Sequence, residues 1–218
     1  MSTQNGLRKL YIIGASGHAK ETAWLAERIN EVTPTWAIMG FIEDREELWG
    51  TRVYHYQVLG GHDVIEQQTD EIWAIVAIAG TRARRRAVSR ITPFTHIRFA
   101  TLIDPSVIMS DSNTIGEGTM ICAGNIITTE ITIGDHVIIN RSCNIGHDSI
   151  VEGFVTFYPG VNVSGNVTIG TGTELGTGSA VIQGINICND VILGAGGVVV
   201  KDITESGTYV GAPARKIA

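Results

Sequence analysis

The stretch Ile127-Thr-Thr-Glu-Ile-Thr-Ile133-Gly-Asp-His-Val-Ile-Ile139-Asn-Arg-Ser-Cys-Asn-Ile145 places a large aliphatic residue at every sixth position. The spacing continues in both directions without a break, and we call these residues anchors. The series is Ile103, Met109, Ile115, Ile121, Ile127, Ile133, Ile139, Ile145, Val151, Phe157, Val163, Ile169, Leu175, Val181, Ile187, Leu193 and Val199. A period of six fits neither an α-helix nor a plain strand. It is typical of a parallel β-helix, in which each hexapeptide forms one flat side of a coil.

Two other positions of the hexapeptide follow a pattern. Glycine often comes directly after the anchor, which we attribute to turn conformations that glycine tolerates. These glycines are Gly116, Gly134, Gly146, Gly170, Gly176 and Gly194. The fourth residue after the anchor is small or β-branched, as a narrow interior requires. At about 4.8 Å per stacked strand, a little over five coils give a prism roughly 25 Å tall.

The first hundred residues have a different organisation. Short apolar stretches at residues 10–13, 36–42 and 72–79 read as strands, and residues 19–30 and 82–91 read as helices. Alternating strands and helices predict a small parallel α/β sheet. We therefore predict two domains, residues 1–100 and 101–218, with the hand-over at residues 99–105. Residues 210–215 break the period and should cap the last coil or pack outside it.

Composition excludes several classes of protein. The 16 basic and 22 acidic residues give a net charge of −6, which argues against a general nucleic-acid or membrane-surface binder. The three cysteines are far apart, so neither a disulfide framework nor a zinc cluster is indicated. Cys143 occupies an inward small position, where ordinary packing is expected. No signal peptide or membrane-length apolar run is seen, so we expect a cytoplasmic protein.

Gly14-Ala-Ser-Gly-His18 lies between the first strand and the first helix. Amide groups of such a turn, together with a helix N-terminus, favour anions such as phosphate. The third glycine of a full G-x-G-x-x-G motif is missing, so a tight turn without a ligand is the alternative. Asp44 ends the second strand, where a nucleotide base or ribose is often held. A solvated loop acid is the alternative for Asp44.

A local basic run begins the helix at residues 82–91. It could help to place a diphosphate, although a solvated helix face is the commoner reading. The run consists of Arg82, Arg84, Arg85, Arg86 and Arg90.

His147-Asp148 is the sharpest candidate for chemistry. His147 is the second residue after an anchor, on the outer side of a corner, and an exposed imidazole can act as a general base near neutral pH. A neighbouring acid can hold its tautomer. The alternative is an ordinary surface pair, and His136, Asp135 and His18 compete for the role. A metal site is disfavoured, because the repeat region has only His136 and His147.

Five segments together resemble a known family. They are Gly14-Ala-Ser-Gly-His-Ala-Lys20, Gly40-Phe-Ile-Glu-Asp44, Asn140-Arg-Ser-Cys-Asn-Ile-Gly-His-Asp148, the tail Gly194-Ala-Gly-Gly-Val-Val-Val-Lys-Asp202 and Val210-Gly-Ala-Pro-Ala-Arg215. In these the chain resembles the bacterial sugar O- and N-acyltransferases of the sialic-acid O-acetyltransferase type. It is most similar to N-acetyltransferases acting on nucleotide-linked 4-amino-4,6-dideoxy sugars. The resemblance spans essentially the whole chain.

The resemblance implies a Rossmann-like N-terminal domain, a left-handed β-helix and a homotrimer with active sites at subunit interfaces. It implies acetyl-CoA as co-substrate and no metal. The nucleotide-sugar would contact Gly14, Ser16, Gly17, His18, Asp44 and Gly80. The coenzyme would lie between adjacent β-helices, near Thr156, Gly165, Thr177 and Ala195. Many relatives carry a second histidine where this chain has Thr156, a departure that concerns one coenzyme contact and not the reaction.

The predicted function is acetyl-CoA-dependent N-acetylation of the 4-amino group of a nucleotide-activated amino-deoxy sugar. His147 would be the general base and Asp148 its partner. The alternatives are O-acetylation of a sugar hydroxyl, such as that of a sialic acid, and a non-catalytic sugar-nucleotide-binding trimer. The family implies a pathway of surface polysaccharide synthesis, without nucleic-acid or membrane partners. The sequence does not name the nucleotide.

Overall fold

The computed structural model describes residues 6–217, and the chain divides into two compact units between Pro105 and Ser106. The sequence placed this boundary five residues earlier. The first unit extends further because the Asp104 carboxylate is buried in it. Arg28, on the first helix, donates two hydrogen bonds to that carboxylate, at 2.6 and 3.1 Å.

The first unit is a six-stranded sheet with helices. Its elements are β1 (Arg8–Ile13), α1 (Gly17–Val32), β2 (Trp36–Ile42), a 3-10 turn (Glu46–Leu48), β3 (Arg52–Val53), β4 (Tyr56–Gly60), α2 (Asp63–Glu66), β5 (Ile72–Val76), α3 (Thr81–Ile91), β6 (Ile97–Phe99) and β7 (Leu102–Ile103). The sheet order is β3-β4-β2-β1-β5-β6, and only β3 is antiparallel to its neighbour. The predicted strands and helices are confirmed, whereas β3, β4, β6 and α2 were not foreseen. Within residues 6–217, no helix combines the length and apolar content needed to span a bilayer.

The carboxyl ends of four parallel strands create the functional edge of this sheet. Strands β1, β2 and β5 are nearly continuous hydrophobic runs because both faces of the sheet are covered. Gly14, Glu43, Gly61 and Ala77 follow β1, β2, β4 and β5 respectively. Since the strands are parallel, the loops that begin at these residues meet along one edge.

The second unit is a left-handed parallel β-helix, as the sequence predicted. Paired residues are 18 positions apart, for example Ile121 with Ile139 and Ile127 with Ile145, so each coil contains three hexapeptides. Its strands are β8 (Ile108–Met109), β9 (Thr114–Ile115), β10 (Met120–Ile121), β11 (Ile126–Ile127), β12 (Thr132–Ile133), β13 (Ile138–Ile139), β14 (Asn144–Ile145), β15 (Ile150–Val151), β16 (Thr156–Phe157), β17 (Asn162–Val163), β18 (Thr168–Ile169), β19 (Glu174–Leu175), β20 (Ala180–Val181), β21 (Asn186–Ile187), β22 (Val191–Leu193), β23 (Val198–Val199), β24 (Gly207–Val210) and β25 (Arg215–Lys216).

These strands stack into three flat faces. The first face contains β10, β13, β16, β19 and β22, the second contains β8, β11, β14, β17, β20 and β23, and the third contains β9, β12, β15, β18 and β21. The tail extends the first face: β24 pairs in parallel with β22, and β25 returns antiparallel to β24. The segment at residues 210–215 therefore packs along the edge of the prism, the second of the two arrangements expected from the sequence.

The interior is filled by the two predicted sets of residues. Every anchor from Ile121 to Val199 is at most 4% exposed. Most of the fourth residues after the anchors are fully buried, among them Thr119, Val137, Cys143, Ser149, Val155, Val161, Val167, Thr173, Ser179 and Val191. Burial raises the pKa of the Cys143 thiol to about 11. Cys143 is therefore a protonated packing residue at neutral pH and not a nucleophile.

The glycines after the anchors have a different cause from the one predicted. None of the six adopts a left-handed φ. A Cβ at Gly146 would lie 2.5 Å from the Gly165 amide nitrogen, and one at Gly134 would lie 2.7 Å from the Gly153 amide nitrogen. Glycine is required there by the close approach of the next coil. The left-handed turn residue is the third after the anchor, at every sixth position from residue 118 to residue 196.

Phe157 is the largest anchor side chain in the middle coils and is fully buried between Ile139 and Leu175 of the neighbouring strands. We expect Phe157→Ala to lower the free energy of unfolding by about 3–5 kcal/mol, because it removes buried apolar surface and leaves a cavity. Urea denaturation at fixed protein concentration measures this loss. Phe157→Leu, which retains most of the volume, is the control and should lose clearly less. Equal losses for the two variants would contradict the packing argument.

Candidate active site

The functional edge of the first unit holds a cleft made of two adjoining cavities. The loop-side cavity, of about 200 Å³, is lined by residues that follow β1 and β2, including Gly14, Ser16 and Glu43. The α3-side cavity, of about 360 Å³, is lined by one face of α3. Asp44, His62 and Ile78 line both. The cleft is large enough for parts of a small organic ligand.

Gly14, Ala15 and Ser16 form one wall of the cleft. Gly14 has φ of +104°, and its amide donates to the Ile42 carbonyl at 2.8 Å, so the turn is fixed against β2. Ser16 is the N-cap residue of α1; its side chain is exposed and makes no capping hydrogen bond. Gly17 is also exposed. The predicted loop therefore lines the cleft, with one polar side chain free to contact a ligand.

The Glu43 side chain, which follows β2, contacts the backbone of this loop. The sequence did not predict this contact. The Ala15 amide donates to Glu43 Oε2 at 3.2 Å, and the Arg45 guanidinium contacts both carboxylate oxygens. These hydrogen bonds, from the Arg45 side chain first, hold the pKa of Glu43 below its usual value. The Ala15 amide, which was expected to bind phosphate, therefore already donates to an ionised carboxylate.

Three predicted substrate residues, Gly17, His18 and Gly80, do not line the cavities. The His18 ring lies with Nδ1 3.7 Å from Glu21 Oε2, and its Nε2 is buried without a hydrogen-bond partner in the part of the chain described. Gly80 is the exposed N-cap residue of α3, with no atom within 4 Å of an added Cβ. Their assignment to the substrate stays a prediction.

Asp44 is held by two residues that the sequence did not single out for this role. His62 Nδ1 lies 2.9 Å from Asp44 Oδ1, and Arg90 Nη1 lies 3.3 Å from the same oxygen. The His62 ring is buried, and its Nε2 has no partner among the residues described. His62 follows β4, a strand that was not predicted. Recognising Gly60-Gly-His62 as a strand end would have placed the histidine at this edge.

The arginine run contains both exposed side chains and one buried side chain. Arg82 and Arg86 are exposed, as a solvated face requires. Arg84 is fully buried, and its Nη1 donates to the carbonyls of Ile78 and Ala79 at 2.9 and 2.6 Å. The reading as a solvated face is wrong for Arg84, which fixes the segment after β5 and thereby one wall of the cleft.

In the second unit, His147 and Asp148 lie at the corner between the second and third faces. His147 Nδ1 is 2.7 Å from Asp148 Oδ2, and the side chains are 66% and 60% exposed. Hydrogen bonds to both adjacent coils fix the backbone: the Asp148 amide donates to the Thr129 carbonyl at 3.1 Å, and the Asn166 amide donates to the His147 carbonyl at 2.7 Å. An ionised carboxylate can only accept, so this contact requires the proton on Nδ1 and makes Nε2 the acceptor whenever the ring is neutral.

Gly165 lies directly against this imidazole, one coil further along the same corner. A Cβ at Gly165 would be 2.6 Å from His147 Nε2 and 2.7 Å from Cε1. The His147 ring occupies the volume that a side chain at position 165 would fill. Gly165, predicted to contact the coenzyme, is thus also the residue that sets the orientation of His147.

His136 and Asp135, the competing candidates for the general base, lie at the corner between the third and first faces. Their contacts there are with neighbouring parts of the β-helix. His136 is 5% exposed, and its ring stacks on Phe154 with centroids 5.0 Å apart. Asp135 Oδ1 accepts a hydrogen bond from the Glu117 amide at 2.9 Å. No three His, Cys, Asp or Glu side chains within residues 6–217 form a group that could hold a metal ion.

The remaining predicted coenzyme residues lie elsewhere on the prism. Thr177 and Ala195 are exposed at the corner between the first and second faces, in successive coils joined by a 2.9 Å hydrogen bond from the Gly196 amide to the Thr177 carbonyl. Thr156 lies on the first face and is fully buried. The structure brings together His147, Asp148 and Gly165 but separates them from the other three. A Thr156 side chain without exposed surface cannot touch a coenzyme lying on the outside of its own subunit.

Asp148→Asn tests the partner role. Asp148 has φ of +59°, and asparagine adopts this left-handed conformation readily, so the substitution removes the charge and spares the turn. We expect kcat to fall by less than for loss of the histidine, because Asp148 orients the ring and does not take the proton. Steady-state kinetics with both substrates measure this. A larger loss than that of His147→Ala would reverse the two roles.

Comparison with known proteins relates both units to sugar acetyltransferases. Residues 9–91 match the family model "PglD N-terminal domain". Over 186 residues the chain is 28% identical to GDP-perosamine N-acetyltransferase of Escherichia coli O157:H7, covering 85% of this chain and 82% of that protein.

Solved structures match over nearly the whole chain. The acetyltransferase domain of PglB from Neisseria gonorrhoeae FA1090 superposes with a TM-score of 0.89 at 31% identity, covering 96% of this chain and 100% of that one. The same domain has been solved in complex with acetyl coenzyme A. A histidine-to-asparagine mutant of perosamine N-acetyltransferase from Caulobacter crescentus, in complex with CoA and GDP-perosamine, gives a TM-score of 0.85 at 30% identity, with both chains fully covered.

Proposed function

The chain belongs to the sugar acetyltransferases of the hexapeptide-repeat superfamily, and from this membership we propose that it transfers the acetyl group of acetyl-CoA to the 4-amino group of a nucleotide-activated amino-deoxy sugar. The observation that carries the proposal is the pairing of His147 Nδ1 with Asp148 Oδ2 at 2.7 Å on a rigid corner. Structures of perosamine N-acetyltransferase that match over the full chain contain CoA and GDP-perosamine.

The chemistry is direct acyl transfer with His147 as general base. His147 Nε2 takes a proton from the sugar amine as the amine nitrogen bonds to the acetyl carbonyl carbon. The carbon–sulfur bond then breaks, and the proton passes to the departing sulfur, so that CoA leaves as the thiol and the base is restored. Asp148 stabilises the protonated ring during the transfer. General-base catalysis of this kind contributes about 10²–10⁴-fold to the rate.

The coenzyme site in this proposal lies between subunits of a homotrimer. His147 and Gly165 lie on one corner of the prism, and Thr177 and Ala195 lie on another. When two β-helices pack side by side in the proposed trimer, the corner of one subunit that carries His147 and Gly165 lies next to the corner of its neighbour that carries Thr177 and Ala195. The high exposure of His147 in a single chain agrees with a site that a neighbour completes. Thr156 is left out of this coenzyme site because it is buried.

The cleft in the first unit is the proposed site for the nucleotide-sugar. It lies at the carboxyl ends of parallel strands, where α/β sheets bind ligands. Gly14, Ser16 and Asp44 line it directly. The proposal therefore assigns acceptor binding to the first unit and acyl transfer to the second.

Thiol release from acetyl-CoA tests the proposal. The purified protein is offered UDP-, dTDP- and GDP-linked 4-amino-4,6-dideoxyhexoses, with the 4-hydroxy sugars as matched controls. We expect release with one or more amino sugars, and a product heavier by one acetyl group. Release with hydroxyl acceptors alone would replace N-acetylation by O-acetylation. No release with any acceptor, from a protein that binds CoA, would refute this acceptor class.

A further inference from the structure

We propose that Gln183 contacts the acceptor amine: its side-chain carbonyl oxygen accepts one N–H of the amine while His147 Nε2 faces another. The inference rests on the proposed function and deepens it, because it names a side chain that orients the nucleophile for attack. Gln183 was not singled out by the sequence and lies two coils beyond His147.

The corner that carries His147 presents one such residue from each coil. His147, Gly165 and Gln183 follow one another at intervals of 18 residues, which is the length of one coil. Backbone hydrogen bonds keep these coils in register: the Asn166 amide donates to the His147 carbonyl at 2.7 Å, and the Gly184 amide donates to the Gly165 carbonyl at 3.1 Å. Successive corner residues are therefore about 4.8 Å apart, the spacing of paired strands.

The His147 ring leans along this corner in the direction of Gln183. Its far edge lies over Gly165, where an added Cβ would be 2.6 Å from Nε2, 2.7 Å from Cε1 and 3.0 Å from Cδ2. Thr129 belongs to the coil on the opposite side of His147, so Nε2 is directed away from it. Since Gly165 has no side chain, the next side chain beyond Nε2 on this corner is that of Gln183. With its backbone about 4.8 Å beyond Gly165, a flexible glutamine reaches an atom bound to Nε2.

The Gln183 carboxamide is available to a ligand. The side chain is exposed and forms no hydrogen bond with any of residues 6–217. Its oxygen has two lone pairs that can accept hydrogen bonds from an amine. Gln183 therefore places an uncommitted acceptor on the side of the imidazole from which the nucleophile must approach.

A primary amine matches these two acceptors. One N–H faces His147 Nε2 and a second faces Gln183 Oε1, which directs the nitrogen lone pair at the acetyl carbonyl carbon. The nitrogen gains positive charge as it bonds to that carbon, so its hydrogen bond to Oε1 strengthens towards the transition state and raises kcat. Gln183 takes no proton: the proton passes to His147, and the amide product keeps the remaining N–H.

Gln183→Met and Gln183→Glu together test this contact, by steady-state kinetics with an amino sugar that the unaltered protein acetylates. Methionine keeps the length of the side chain but removes the acceptor oxygen, so we expect kcat to fall about 10-fold with the KM for acetyl-CoA unchanged. Glutamate keeps the acceptor oxygens and should retain most of the turnover. Equal losses in the two variants would overturn the inference.

Asn189→Leu is the matched control. Asn189 is an exposed carboxamide at the same place in its hexapeptide, on the corner between the third and first faces, which the proposed function leaves unused. It should retain kcat.

The remaining outcomes separate this contact from the proposed function. If Gln183→Met raised the KM for acetyl-CoA and left kcat intact, Gln183 would be a coenzyme contact and the inference would be overturned. Normal acetylation by Gln183→Met would overturn the contact alone. If the unaltered protein acetylates no amine, the proposed function fails and the inference fails with it.

Discussion

His147→Ala should lower kcat by about 10²–10⁴-fold, the usual contribution of a general base, while the affinity for acetyl-CoA changes little. The imidazole is the acceptor for the amine proton. Asp148 lies behind the ring, 2.7 Å from Nδ1, so removing the ring leaves no acceptor at the position of Nε2. Single-turnover kinetics and CoA titration separate the two effects.

A second exposed histidine provides the control for this substitution. His55 lies in the first unit beside the Tyr54 ring and lines neither cavity of the cleft. His55→Ala should retain full turnover. An unchanged kcat in His147→Ala would refute the base assignment, and a loss confined to acetyl-CoA binding would make His147 a coenzyme contact instead.

Gly165→Ala should lower kcat by about 100-fold, although it adds only one methyl group. That methyl would lie 2.6 Å from His147 Nε2, so the ring must swing away from its present position. Misplacing a catalytic group by about 1 Å can cost this much. The atoms that must move belong to an exposed side chain, so the fold should be retained. Kinetics and thermal unfolding together test both expectations.

Gly153→Ala is the matched control for Gly165→Ala. Gly153 has the same place in its hexapeptide, on the corner between the third and first faces, and neither glycine has a left-handed φ. Its added Cβ would lie 3.3 Å from the Asp135 carbonyl oxygen, with no catalytic group in contact. Near-normal kcat is expected. If both variants lost activity equally, the effect would belong to the scaffold and not to the imidazole.

The period-six pattern predicted the β-helix because it records which side chains point inward. Anchors such as Ile139 and small residues such as Cys143 are buried inside the prism, as their positions in the hexapeptide predicted. Outward positions are different, because their exposure depends on what packs over each face. Thr156 therefore matched a coenzyme position by sequence yet is fully buried. Thr177 and His147 are 177 − 147 = 30 residues apart, which is not a whole number of 18-residue coils, so the repeat itself places them on separate corners.

The cleft was predicted in part for a similar reason. Gly14 and Asp44 follow recognisable strands, so their place at the carboxyl edge could be deduced. His62 joins Asp44 across 18 residues through a strand with no clear pattern, and Glu43 turns back onto the Ala15 amide. Arg84 sits in a basic run but is buried by its bonds to two carbonyl groups. Such tertiary pairings leave no local signal.

The turn residue of each hexapeptide places stability and chemistry in competition. Fourteen successive turn positions, from Gly118 to Gly196, hold a left-handed φ, and seven of them are not glycine. A side chain in that conformation costs about 1–2 kcal/mol relative to glycine. Asp148 is one of these seven. Replacement by glycine would relax the prism at that corner and remove the partner of His147, so a more rigid scaffold and an active one require different residues at a single position.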